Sequence, residues 1–171
     1  MKELQTLQQI FQHRIFRIPD YQRGYAWGEK QWIDFWEDLV NLDTERFHYT
    51  GVLSIKSLSK QECAHWHDAL WLIEDRGYRP CHIVDGQQRL TTISIFIQCL
   101  IETARLLNSG KADHEIFISS FPLNKIIEDF VVEQHAQKQM LRSFKFGYEV
   151  DNPSCNFLIQ RIFKINNNER I

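Results

Sequence analysis

The stretch HIVDGQQRLTTISIF, residues 82–96, decides how the rest of the chain is arranged around it. Ile83 and Val84 suit a strand that stops at Asp85. From Gln87 to about Leu107, residues Leu90, Ile93, Ile97, Leu100 and Ala104 keep helical period, and Ile95, Phe96 and Ile101 spread apolar surface almost all the way round. A helix of that kind is central to a fold. At a strand–glycine–helix junction the first-turn amides lack intrahelical acceptors and carry a partial positive charge, which makes a natural phosphate site. Gly86 allows close approach of an anion or a positive φ. Arg89, in the first turn, could fork onto phosphate oxygens. Asp85 could ligate a divalent cation carried with a nucleotide, or orient an attacking water. Gln87 and Gln88 offer neutral donors and acceptors for a sugar, a base edge or a water. A purely structural reading stands beside this one: Asp85 caps the helix and Arg89 is a surface cation, since junctions of this type are common.

A second cluster, RIPDYQRGYAW at 17–27, concentrates Arg17, Tyr21, Gln22, Arg23, Tyr25 and Trp27 in a loop too short to bury them all. Aromatics beside arginines suit base stacking combined with phosphate contact. The loop contains Pro19 and Gly24 and is followed by Gly28, and could close over a ligand. The alternative is that Tyr21 and Trp27 anchor the loop on the following helix.

Outward from these motifs, residues 3–11 suggest a short helix, and Ile15 to Ile18 an extended run ended by Pro19. Glu29 to Leu42 is expected to be a helix whose aromatic face, around Trp32 and Trp36, is core. Residues 47–58 (FHYTGVLSIKSL) read as a strand containing a glycine, and 59–68 as loop. ALWLIE (69–74) is expected to pair as a strand with PCHIVD (80–85) across a DRGYR turn. Pro122 sits near the start of a helix in 119–134, 140–150 alternates like a strand, and Asn152 or Ser154 could cap a last amphipathic helix. The mixture predicts one α+β domain over residues 1–171, a small mixed sheet covered by helices.

Composition supports a real core: 43% hydrophobic and 13% aromatic residues over 171 positions. A formal net charge of −2 argues against a nucleic-acid binder whose whole surface is basic. Cys63, Cys81, Cys99 and Cys155 form no CxxC pair and read as reduced thiols in a cytoplasmic protein. No apolar run is expected to reach the roughly 20 residues of a membrane helix, since Gln98 interrupts the longest. Cys63, His65 and His67, with Cys81 and His82, match no strong zinc spacing. Neither GxxxxGK[ST] nor GxGxxG occurs, which disfavours the familiar nucleotide folds.

Taken as a pair, RIPDYQRGYAW and VDGQQRLTT (84–92) closely resemble the N-terminal domain of GmrSD-type, modification-dependent restriction endonucleases, in the ParB/sulfiredoxin-like superfamily. FWEDL (35–39), HYTGVLSI (48–55) and DNPSCNFLIQRIF (151–163) are also similar to family segments, so the resemblance spans most of residues 5–163. It implies a ParB/sulfiredoxin-like fold and a domain that binds and hydrolyses nucleoside triphosphates with Mg²⁺, coupled to DNA cleavage by an HNH-type nuclease domain. The family's DGQQR motif falls on Asp85, Gly86, Gln87, Gln88 and Arg89, with Thr91 alongside. Its IPxYQRxYxW motif falls on Ile18, Pro19, Tyr21, Gln22, Arg23, Tyr25 and Trp27. Asp85 is then expected to hold Mg²⁺ through the nucleotide, and Asp85, Gln88 and Arg89 to act in hydrolysis. After residue 150 nothing supplies an HNH centre, so the chain is expected to be a fragment, a separate subunit or a stand-alone copy. Expected partners are a nucleoside triphosphate, DNA (directly or through a partner domain), the nuclease and a second copy of the chain, with no membrane. The alternative is a non-catalytic module that senses a nucleotide or modified DNA.

Overall fold

The computed structural model describes residues 4–43, 45–135 and 141–164. Its centre is a four-stranded sheet of β1 (Arg14–Ile18), β2 (Ser54–Ser57), β3 (Arg79–Asp85) and β8 (Phe146–Tyr148), in the order β2-β3-β1-β8. β1 runs parallel to both neighbours, Phe16 facing Cys81 on one side and Phe146 on the other, while β2 is antiparallel to β3. The expected α+β class with a small mixed sheet is what the molecule adopts.

Strand alternation divides the core. Phe16 and Ile18 of β1 point to the face that also holds Cys81, Ile83, Phe146 and Tyr148, and α4 (Gln87–Leu107) packs there through Leu90 and Ile95. Ile15 points to the opposite face, covered by Trp66, Ala69, Leu72, Ile73 and Tyr78. On its far side α4 meets a third cluster through Ile93, Ile97 and Ile101, with Ile116, Leu123 and Val131 against it. An apolar surface running nearly round α4 is therefore used on two sides, as the sequence suggested.

Arg17 lies on the second face of β1 at only 6% exposure. Its guanidinium donates to the carbonyls of Phe16 and Phe144 (both 3.0 Å) and to Asp68 Oδ2 (2.8 Å), and stacks over Trp66 at 5.2 Å. Such complete pairing is what makes a buried cation tolerable.

Several local expectations need correction. ALWLIE is not a strand: Leu70–Asp75 forms the short helix α3, which buries Leu72 and Ile73 against β1. An apolar run of this length fits either structure, and tertiary packing chose the helix. Only Ser54–Ser57 of the 47–58 run pairs in the sheet, because Gly51 adopts φ +94° and breaks the extended course. Helix α2 (Glu29–Val40) forms as expected but fully buries no residue: Trp32 packs half-buried against the first core cluster, whereas Trp36 is 55% exposed and Ile33 48%. The described part of 140–150 is split: β7 (Arg142–Phe144) pairs with β6 (Val132–Gln134), while β8 joins the main sheet. Met140 lies outside the described residues, as do residues 1–3 and 165–171.

α1 (Leu7–Phe11) precedes β1, and the hairpin of β4 (Phe117–Ile118) and β5 (Phe121–Pro122) leads into α5 (Leu123–Phe130), which starts after Pro122 as proline geometry favours. The last segment begins as a single α-turn, α6 (Cys155–Phe157), and continues as a π-helix over Leu158–Ile162. Its first residue follows Ser154, whose amide is held by Asn152 Oδ1 at 3.0 Å. The membrane expectation also changes: α4 has 21 residues and a window of mean hydropathy 1.4, enough by length and composition to span a bilayer. Its N-terminal half is nonetheless enclosed by protein.

Candidate functional site

The chain leaves β3 at Asp85, turns through Gly86 at φ +90° and enters α4. Glycine is required there twice over: the backbone is left-handed, and a Cβ would sit 3.0 Å from Leu53 Cδ1 and 3.2 Å from the Val52 carbonyl oxygen. No side chain caps the N-terminus of α4, so the capping role that the structural reading gave Asp85 is not observed. The Asp85 residue is exposed. Arg89 donates from Nη2 to the Val52 carbonyl at 2.7 Å and forms no ion pair among the described residues, which leaves most of its five donors available.

The two glutamines have different environments. Gln88 is buried, and its carboxamide grips the backbone of the 19–28 loop: Oε1 accepts from Ala26 N (2.7 Å) and Nε2 donates to the Gly24 carbonyl (3.1 Å). Gln87 is also buried, at 9% exposure, yet its Oε1 has no hydrogen-bond donor. A buried amide oxygen without a donor costs free energy, so it is either a local cost or an acceptor awaiting a partner.

Thr91 and Thr92 finish the first two turns. Thr91 Oγ1 donates to the Gln87 carbonyl (2.8 Å) and Thr92 Oγ1 to that of Gln88 (2.9 Å). With those hydrogens used, the Tyr148 hydroxyl donates to Thr91 Oγ1 (3.0 Å) and the Tyr25 hydroxyl to Thr92 Oγ1 (2.9 Å). Burial pushes the Tyr148 phenol up to about 12 and also raises that of Tyr25, against the lowering effect of each threonine bond. Both phenols therefore stay protonated and structural at neutral pH.

The 19–28 loop is fastened along its length. Gln22 Nε2 donates to the Ile83 (3.2 Å) and Val84 (3.0 Å) carbonyls at the end of β3. Asn152 Nδ2 donates to the Pro19 (3.1 Å) and Gln22 (2.9 Å) carbonyls, and Ser154 Oγ accepts from Tyr25 N (2.8 Å). Tyr25 lies edge-on to Trp32 at 6.2 Å. Tyr21, 77% exposed, and Arg23, exposed and without a hydrogen bond or ion pair to any described residue, face solvent, with Trp27 half-buried. The predicted set is thus brought to adjoining elements but divides by role: Gln22, Tyr25, Gln88 and Thr91 hold the architecture together, whereas Tyr21, Arg23, Asp85 and Arg89 keep reactive or charged groups accessible.

A neighbouring cleft of about 220 Å³ opens beyond β1 and β8, the side of a parallel sheet on which ligand crevices form. It is lined by Asp20, Tyr21, His65, His82, Glu149 and Asp151, among others. Glu149 is absent from the sequence-derived set. Its carboxylate takes Trp66 Nε1 (2.8 Å) and His82 Nε2 (2.9 Å) on one oxygen and His65 Nε2 (3.0 Å) on the other. Burial alone would raise this carboxyl, but the bonds from His82, Trp66 and His65 outweigh it and bring it down to about 2. His65 and His82 are therefore joined to a carboxylate, and Cys63 and Cys81 are buried apart from them in opposite cores. Among the described residues no group of three or more His, Cys, Asp or Glu side chains is arranged to hold a metal. A glutamate following an alternating strand carries no sequence signal for this role, since its partners come from two other segments.

Comparison with curated proteins finds no match. Comparison with protein families does: residues 6–170 match the family described as GmrSD restriction endonuclease, N-terminal domain. That span includes both the fastened IPDYQRGYAW loop and the DGQQR helix start that Gln88 ties to it, and the chain belongs to this family.

Proposed function

We propose that this domain binds a nucleoside triphosphate at the start of α4 and hydrolyses it, as the regulatory unit of a modification-dependent restriction system whose DNA cleavage is carried out by a separate HNH-type nuclease domain. Membership of the family supports a role in restriction, and with it association with a nuclease domain and DNA. The observation that carries the nucleotide reading is the uncapped N-terminus of the 21-residue α4, with Arg89 in its first turn and the donor-less Gln87 carboxamide oxygen beside it. Free first-turn amides, a guanidinium and an unpaired buried acceptor match a phosphate chain with hydrogen-bond donors near it.

In this reading Arg89 and Arg23 neutralise phosphate charge, and Tyr21 and Trp27 supply aromatic faces for the base. Asp85 is the one exposed carboxylate at the junction, and it fits a Mg²⁺ that arrives bound to phosphates, because Mg²⁺ needs only one or two protein carboxylates in such complexes. When bound, Mg²⁺ would supply charge neutralisation at the phosphates. Gln88 acts by holding the loop that carries Tyr21 and Arg23. Hydrolysis of this kind depends on positioning and charge stabilisation more than on covalent chemistry. The protein operates in the cytoplasm, alone or as a homodimer.

A non-catalytic sensing module is the second reading, favoured by Gln88, whose carboxamide oxygen and nitrogen are both taken up by the backbone of the 19–28 loop. Phosphate release with Mg²⁺ and each of the four nucleoside triphosphates separates the two. Turnover that Asp85→Asn abolishes supports the hydrolase. Binding without turnover supports the module. An Arg89→Ala protein that binds as tightly as the wild type in calorimetry rules out the phosphate site in both.

A further inference from the structure

We infer that Gly51 is a positioning residue for the phosphate grip, fixing where the Arg89 guanidinium lies; the inference rests on the nucleotide reading above. Residues 51–53 pass directly over the helix start. The Val52 carbonyl takes the Arg89 Nη2 bond at 2.7 Å, and Leu53 and Val52 form the wall that any Cβ on Gly86 would meet. Two glycines at positive φ, Gly51 at +94° and Gly86 at +90°, thus face the same guanidinium and allow the two backbones to approach around it.

The contact at Gly51 is the tighter one. A Cβ there would lie 2.2 Å from Arg89 Nη1 and 2.8 Å from its Cζ, well inside van der Waals separation. The atoms met are the far end of a flexible side chain, not backbone. The collision is therefore relieved by swinging the guanidinium away, not by unfolding the protein. Any side chain at position 51 evicts Arg89 from its place over the helix start and leaves the core untouched. This segment carries no phosphate-binding signature of its own; its function is to shape the space that Arg89 occupies.

Backbone strain is separable from eviction, because Gly110 has nearly the same φ (+92°) with nothing within 4 Å of its Cβ direction. The experiment titrates wild type, Gly51→Ala, Gly110→Ala, Arg89→Ala and the Gly51→Ala/Arg89→Ala double variant with inorganic tripolyphosphate and with the four nucleoside triphosphates, alongside thermal melts. Gly51→Ala should melt within a few degrees of Gly110→Ala, yet lose at least tenfold in affinity for tripolyphosphate, while Gly110→Ala binds as wild type. The double variant should bind no more weakly than Arg89→Ala, since both changes remove one group. Wild-type affinity in Gly51→Ala, or losses that multiply in the double variant, overturns the assignment while leaving the nucleotide reading in place. Failure of the wild type to bind any of the probes overturns the nucleotide reading, and this inference with it. Should Gly51→Ala not fold, Gly51→Asn carries the same test, because asparagine tolerates the left-handed backbone and still brings a Cβ.

Discussion

Replacing Gln88 tests whether one carboxamide holds the 19–28 loop to α4. In Gln88→Met the methylenes and the approximate volume are kept, and the bonds from Ala26 N (2.7 Å) and to the Gly24 carbonyl (3.1 Å) are lost. At about 1 kcal/mol net for each bond the loss is about 2 kcal/mol. Ala26 is exposed, so water can recover its amide and no large burial penalty is added. Gln88→Ala also removes the buried Cγ methylene, at about 0.8 kcal/mol, which brings the loss to roughly 3 kcal/mol. For a chain of this size the melting temperature should fall by about 4–8 °C in the methionine variant and by about 6–12 °C in the alanine variant. Limited trypsinolysis gives a local readout, because Arg23 sits in the loop, exposed. If the clamp is what keeps the loop closed, about 2 kcal/mol opens it about thirtyfold more often, and cleavage after Arg23 should accelerate by a similar factor where reclosing is fast. A methionine variant that melts with the wild type and is cut after Arg23 at the wild-type rate would refute the clamp.

Other outcomes follow from the same contacts. Arg17→Met strands the Phe16 and Phe144 carbonyls and frees Asp68, whose half-exposed side chain recovers water, so urea unfolding should show a loss of about 2–4 kcal/mol with an unchanged m-value. Arg17→Lys should restore only part of it, because an ammonium cannot span the three acceptors. The Glu149 carboxyl is lowered in the folded protein from 4.5 to about 2, so the unfolded chain binds the proton more readily. Its contribution is complete above pH 4.5 and is lost as pH falls towards 2; stability measured across that window should decline in the wild type and flatten in Glu149→Gln.

DGQQR was readable as a strand–glycine–helix junction because Gly86 and the period of α4 are local signals, and the helix forms where the period places it. Gln88 could be recognised as significant but not as a clamp, since its acceptor and donor lie on Gly24 and Ala26, 64 and 62 positions away. The exposure of Trp36 has the complementary reason: helical spacing of aromatics marks one face of α2, but which of them are covered depends on what packs against it. ALWLIE failed as a strand because a six-residue apolar run carries no period long enough to distinguish the two structures.

The sequence alone carries the elements whose information is short-range: β1 before Pro19, the start of α4 after Gly86, and the α+β class their alternation implies. It also determined the family, because two separated motifs together are far more specific than either alone. The order β2-β3-β1-β8, the Glu149 junction with His65, His82 and Trp66, and the contact of Gly51 with Arg89 arise only once the chain has closed on itself. Each of these joins groups tens of residues apart, and local propensity holds no record of which distant groups the closed chain will bring within hydrogen-bonding reach.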